Sequence, residues 1–309
     1  MRIAVAGIGG IGGILGGVLA AKGADTYFLV RGENLKAIRN NGLKVDSVLW
    51  GSFIARPAAS SDNAADLGIM DAVFICCKGH ALRSMCLAAA PMVGKDTLVV
   101  PLLNGVGVSD LMRPYLPECR LADGSIWVFS HIEGPGHVAH TSGKCRVVFG
   151  MKDGSRPDTL DKLASELNSA GIEARVSDNI QLDCWKKYLA MGGYSVLFCY
   201  YDGNTGEVRS HPEYKEVMRA IANEMISVAK ALGINMPEDS ADKYVENFSS
   251  FSPETINSLY RDLISGVPPE KTELVHLIGS MIRLGKETGV KTPYHEAAYE
   301  NACRRYGKH

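Results

Sequence analysis

Gly7, Gly9 and Gly12 stand in the spacing G-x-G-x-x-G within Gly7-Ile8-Gly9-Gly10-Ile11-Gly12. The apolar run Ile3-Ala4-Val5-Ala6 leads into them, and a helical pattern follows. Such a strand, turn and helix can receive the pyrophosphate of a dinucleotide. The first glycine permits the tight turn, the second lets the backbone approach the phosphates, and the third lets helix and strand pack closely. The helix N-terminus adds N–H groups aimed at negative charge. Glycine is common and the motif alone is weak, but a second strand, Thr26 to Val30, follows at the right distance. Where an NAD site carries an acid for the ribose 2′-hydroxyl, this chain has Arg31. A guanidinium can hold a 2′-phosphate through charge-assisted hydrogen bonds, which favours NADP(H) over NAD(H). A solvated strand-end arginine is the alternative.

Further groups lie downstream. Lys78 follows the apolar strand Asp71 to Cys77 and can reach a phosphate, a ribose or a substrate carboxylate. Asn104-Gly105 follows the next strand, Thr97 to Leu103, and an amide both donates and accepts. A solvated turn lysine and a plain Asn-Gly turn are the competing readings. Lys186 and Lys187 sit in a predicted helix. Helix neighbours point about 100° apart, so only one can face a given site. Lys187 shares its face with Met191, Tyr194 and Ser195. A lysine there can donate a proton to a carbonyl oxygen as hydride arrives, or it can simply snorkel at a domain edge. Glu273 begins an amphipathic helix, where a glutamate also suits the helix dipole. Ser258, in a preceding helix, carries no signal by itself.

The elements that must hold these groups divide at about residue 178. Residues 1–178 alternate strand and helix and read as an α/β, Rossmann-type dinucleotide-binding domain with continuous apolar strands. Ser125 to Ile132, His137 to Thr141 and Arg146 to Gly150 read as antiparallel hairpins appended to the sheet, split by Gly-Pro-Gly and Ser-Gly-Lys. A helix around Thr159 to Ala170 and a strand around Glu173 to Ser177 end the domain. Residues 179–309 read as an all-α substrate domain. One core stripe is Val217, Ile221, Met225, Val228 and Leu232, and another is Leu274, Leu277, Ile278, Met281 and Ile282. A cleft between the domains is the default substrate site.

The 309 residues are 46% apolar with net charge −1, so nothing in bulk charge favours nucleic acid or an anionic membrane. No run of about 18 apolar residues is present, and no signal peptide is legible, which makes the cytoplasm the expected location. The eight cysteines are scattered without metal or disulfide spacing. The histidines His80, His131, His137, His140, His211, His276, His295 and His309 show no ligand spacing either, so no metal is expected.

In their order, these pieces make the chain resemble the ketopantoate reductase family over nearly its whole length. The resemblance rests on Gly7 to Gly12, Arg31, Lys78, Leu102-Leu103-Asn104-Gly105-Val106-Gly107, Trp185-Lys186-Lys187 and Lys271-Thr272-Glu273-Leu274. It implies a Rossmann domain followed by a helical one. It implies that Lys187 is the catalytic proton donor and that Glu273 contacts cofactor and orients the lysine. Asn104 would touch cofactor and substrate, Lys78 would serve the cofactor side, and Ser258 would contact substrate. The family pattern has asparagines where this chain has Met191, Ser195 and Thr205, the last beside Asn204. Fewer fixed amides leave fewer groups to select a substrate's polar atoms. The expected activity is NADPH-dependent reduction of a small 2-oxo acid, by family default 2-dehydropantoate to pantoate in pantothenate biosynthesis. A more apolar 2-oxo acid or carbonyl compound is the second reading, and an NADPH-binding sensor without turnover is the third. A homodimer is left open.

Overall fold

The computed structural model describes residues 1–307, so His309 lies outside the described residues. The chain forms two compact units. The first holds residues 1–77, 81–103 and 107–180; the second holds the chain from Gln181 together with Lys78–His80 and Asn104–Val106.

In the first unit, strands β1 (Ile3–Ala6), β2 (Thr26–Leu29), β5 (Ala59–Ser61), β6 (Ala72–Ile75), β7 (Leu98–Pro101) and β8 (Arg120–Leu121) form a parallel sheet. Their order is β5-β2-β1-β6-β7-β8. Counted within the sheet this is 3-2-1-4-5-6, the doubly wound order in which ligands bind at the carboxyl ends of the strands flanking the switch point. Alternation along each strand feeds two cores. Ile3, Val5, Phe74 and Val100 face one side, and Ala4, Ala6, Val73 and Val99 the other. Helices α1 (Gly10–Ala21), α2 (Gly32–Asn41), α3 (Leu82–Ala89), α4 (Val108–Met112) and α5 (Asp158–Ser169) complete the unit.

The predicted hairpins do not extend that sheet. They form a second one from β3 (Leu43–Ser47), β4 (Gly51–Ala55), β9 (Asp123–Gly134), β10 (His137–Gly150) and β11 (Glu173–Val176). The β3–β4 hairpin escaped the sequence reading. The Ser-Gly-Lys stretch is no turn: β10 runs through it, with register shifts on either side and Gly143 at φ 76°. A glycine in the left-handed region serves a bulge as readily as a turn. The second sheet also explains the glycine density of α1. A Cβ on Gly16 would fall 2.7 Å from Phe28 of the first sheet, and one on Gly13 would fall 2.7 Å from Val138 of the second. Each interior glycine weakens a helix by about 0.5–1 kcal/mol relative to alanine. The close approach of two sheets offsets that cost.

The second unit is helical: α6 (Ile180–Tyr201), α7 (Thr205–Ser210), α8 (Tyr214–Ala231), α9 (Ser240–Ser249), α10 (Ser258–Ile264), a π-helical turn (Val275–Gly279), α11 (Ser280–Thr288) and α12 (Pro293–Tyr306). Both predicted stripes are core except at their ends. Leu232 lies past the end of α8 and is exposed, and Ile282 is half-buried. Glu224 of α8 accepts from the Tyr294 and His295 N–H groups and from His295 Nδ1, so a buried carboxylate caps α12.

Candidate active site

Helix α6 treats the paired lysines differently. Lys186 is exposed, while Lys187 is 7% exposed. Lys187, Met191 and Ser195 recur one turn apart and share a face. The Tyr188 hydroxyl donates to the Leu277 carbonyl and ties α6 to the π-helical turn. That turn starts from Thr272, whose hydroxyl accepts from the Leu274 N–H at 3.1 Å. Glu273 then accepts the first helical bond, from the Leu277 N–H at 2.7 Å. The predicted amphipathic helix at Glu273 is therefore a π turn running into α11.

The two loop pieces that group with the helical unit complete a cluster. Lys187 Nζ donates to Asn104 Oδ1 at 3.0 Å, and Asn104 Nδ2 lies 3.5 Å from Glu273 Oε2. One amide thus stands between an amine and a carboxylate. Burial pushes the Lys187 ammonium down to about 8, opposed by the negative potential of Cys184 and Glu273. Burial also raises the Glu273 carboxyl, opposed by the Asn104 amide and the charges of Lys78 and Lys187. A lysine so placed is still mostly protonated at neutral pH and loses its proton within a range enzymes use.

Lys78 is held differently from the expectation. Its Nζ donates to Asp262 of α10 at 2.6 Å, with half of its side chain exposed. Ser195 is committed within the protein: its Oγ donates to the Met191 carbonyl at 2.9 Å and accepts from Asn257 Nδ2 at 2.6 Å. Asn257 Oδ1 accepts from the Tyr260 N–H and caps α10. Ser258 is exposed, and the bond from α10 to Ser195 comes from its neighbour Asn257. Thr205 is buried and bonds the Thr255 carbonyl, while Asn204 caps α7. Asn257 and Asp262 were not singled out from the sequence, and His276 was read only as a histidine without ligand spacing. Asn257 had a usable signal as an N-cap ahead of Ser258. His276 had only its position three residues beyond Glu273.

In the first unit the glycine turn fits a pyrophosphate. Gly7 has φ 98°, and a Cβ there would fall 2.4 Å from the Cys76 carbonyl oxygen. A Cβ on Gly12 would fall 2.0 Å from the Gly7 oxygen, whereas one on Gly9 would meet only Ile132 Cδ1 at 3.9 Å. The turn is packed where it must be and open at Gly9. Gly9 has no side chain to cap α1, and no acid occupies the first turn, so the leading N–H groups are left for an anion. Arg31 follows β2 and is exposed, and no carboxylate among the described residues pairs with it. Among those residues no group of His, Cys, Asp and Glu could hold a metal ion.

Over its whole length the chain is similar to known proteins. The model for ketopantoate reductase PanE/ApbA matches residues 3–154, and that for the C terminal of ketopantoate reductase PanE/ApbA matches residues 179–303. The uncharacterized oxidoreductase YkpB of Bacillus subtilis (strain 168) is 26% identical over 301 residues, 97% of each chain. The crystal structure of 2-dehydropantoate 2-reductase from Methylococcus capsulatus has a TM-score of 0.88 at 26% identity, covering 100% of this chain and 99% of that one. The ternary structure of D-mandelate dehydrogenase with NADH and anilino(oxo)acetate has a TM-score of 0.85 at 27% identity, covering 98% of this chain and 97% of that one. The chain belongs to the ketopantoate reductase family and is an NADP(H)-dependent oxidoreductase acting on the C=O/CH–OH pair of an oxo acid.

Proposed function

We propose that the protein reduces a small 2-oxo acid to the 2-hydroxy acid with NADPH and that Lys187 supplies the proton. The observation that carries this reading is the partly buried bond from Lys187 Nζ to Asn104 Oδ1 at 3.0 Å. When bound, the reduced nicotinamide supplies hydride to the substrate's carbonyl carbon. The backbone of Gly7, Ile8, Gly9, Gly10, Ile11 and Gly12 binds the pyrophosphate, and Arg31 takes the 2′-phosphate. Lys78 serves the cofactor side once it leaves Asp262. Asn104 accepts one Nζ–H and so directs the others, and Glu273 holds positive charge at Nζ. As negative charge grows on the carbonyl oxygen, Lys187 gives it a proton.

Conversion of 2-dehydropantoate to pantoate, a step of pantothenate biosynthesis, is the first substrate assignment. A second reading is favoured by α6: Met191 is apolar, and the Ser195 hydroxyl is already spent on Met191 and Asn257. Those positions then offer a polar side group little, and suit a 2-oxo acid with an apolar one. The likeness to a mandelate dehydrogenase supports this reading too. Ser258, exposed beside Asn257, is kept as a substrate contact. The cytoplasm is kept as the proposed location.

The test is a steady-state panel of 2-oxo acids with NADPH. The first assignment expects the largest kcat/KM for 2-dehydropantoate, and the second for a branched or aromatic 2-oxo acid. Tight NADPH binding with no oxidation across the panel would overturn both and leave a sensor.

A further inference from the structure

His276 lies in the π-helical turn, three residues beyond Glu273, and is 8% exposed. Its ring fills the space beside two loop glycines. A Cβ on Gly79 would fall 2.5 Å from its Cγ, and a Cβ on Gly105 would fall 2.8 Å from its Nε2. These glycines directly follow Lys78 and Asn104. Gly105 has φ 120°, a conformation that side chains rarely adopt, so its turn has no side chain of its own to pack. The buried Nε2 makes no hydrogen bond among the described residues. Burial holds the imidazole below its ordinary value, partly opposed by the Asn104 backbone, so the ring packs as a neutral body.

We propose that His276 is a positioning residue: its ring wedges against Gly79 and Gly105, fixes the Asn104 turn, and so aims the Asn104 amide at Lys187. This rests on Lys187 being the proton donor. Asn104 makes one contact at 3.0 Å and one at 3.5 Å with partners on separate elements. A shift of a few tenths of an ångström in its backbone weakens both at once. Supporting residues of this kind change rates because the groups they hold must keep their geometry.

The test is a double-mutant cycle with His276→Ala and Asn104→Ala. His276→Ala is expected to lower kcat roughly tenfold and to leave KM nearly unchanged. In the Asn104→Ala background it should add less than about twofold, because the route through Asn104 is already gone. The alkaline limb of the rate should also move to lower pH, since the ammonium loses an acceptor. Cys184, one of the other titratable groups influencing it, is untouched, and a weakened Asn104 bond raises the Glu273 carboxyl, which moves the limb the same way. A merely structural residue would lower the active fraction and leave the limb in place. Additive losses, an unmoved limb, or a native kcat would each overturn the proposal. If His276→Ala does not fold, His276→Asn enters the same cycle with the same expectations. Lys187→Ala separates the two levels. Undiminished kcat there removes the proton-donor reading itself, whereas a large loss there with an uncoupled His276 removes only this inference.

Discussion

Between Gly7 and Gly12 the chain offers an incoming group its backbone, and around Lys187 it offers side chains. The turn works because side chains are missing: a Cβ on Gly7 or Gly12 would strike backbone oxygen at 2.4 or 2.0 Å. The cluster works because side chains are crowded, with Lys187 and Glu273 at 7% and 8% exposure. Backbone N–H groups carry their partial charge at every pH. The Lys187 ammonium, pushed down to about 8 by burial, does not. On the proposed function, binding falls to groups that cannot titrate, and proton transfer to one that can.

The contrast is most exposed at Lys187. Lys187→Ala should lower kcat by about 10²–10⁴-fold while barely changing dinucleotide affinity. If the protonated amine is the donor, as proposed, the rate should fall as pH rises through about 8. Steady-state kinetics across pH reads both, and an alkaline limb that persists in Lys187→Ala would assign it to another group. Within the turn, two substitutions should part company. Gly12→Ala puts a methyl against backbone and should destabilise the fold by about 1–3 kcal/mol, read by thermal denaturation. Gly9→Ala meets open space, so its melting temperature should hold while NADPH affinity drops in a fluorescence titration. Equal melting for both would mean that the packing at Gly12 is not needed. An effect of similar size, confined to one cofactor, is expected at Arg31. Arg31→Ala should cost NADPH about 1.5–3 kcal/mol, the worth of a charge-assisted contact, and cost NADH little. Equal losses for both cofactors would remove Arg31 from the 2′-phosphate.

Strands β1, β2, β6 and β7 and most of α8 were legible because burial imposes an apolar pattern on short stretches of chain, whereas β5 and β8 were too short and polar to read. The second sheet was harder to read. In β10 the same Ser-Gly-Lys signal serves a bulge and a turn equally well, and only pairing with β9 distinguishes them. Leu232 carried the right spacing but fell past the end of its helix. At the site, Lys187 and Glu273 were named from sequence by resemblance. Their link through one amide was not legible, nor was the engagement of Lys78 by Asp262.

What the residues decided alone was local. Gly7, Gly9 and Gly12 specify a turn because few other residues could occupy it, and α6 puts Lys187, Met191 and Ser195 on one face because a helix repeats every 3.6 residues. The tertiary structure decided the rest. It brought Asn104 to Lys187 across 83 residues and Lys78 to Asp262 across 184. It placed His276 between two glycines and buried the lysine deeply enough to loosen its proton. Those outcomes depend on which surfaces exclude water together, and that property belongs to the packed chain.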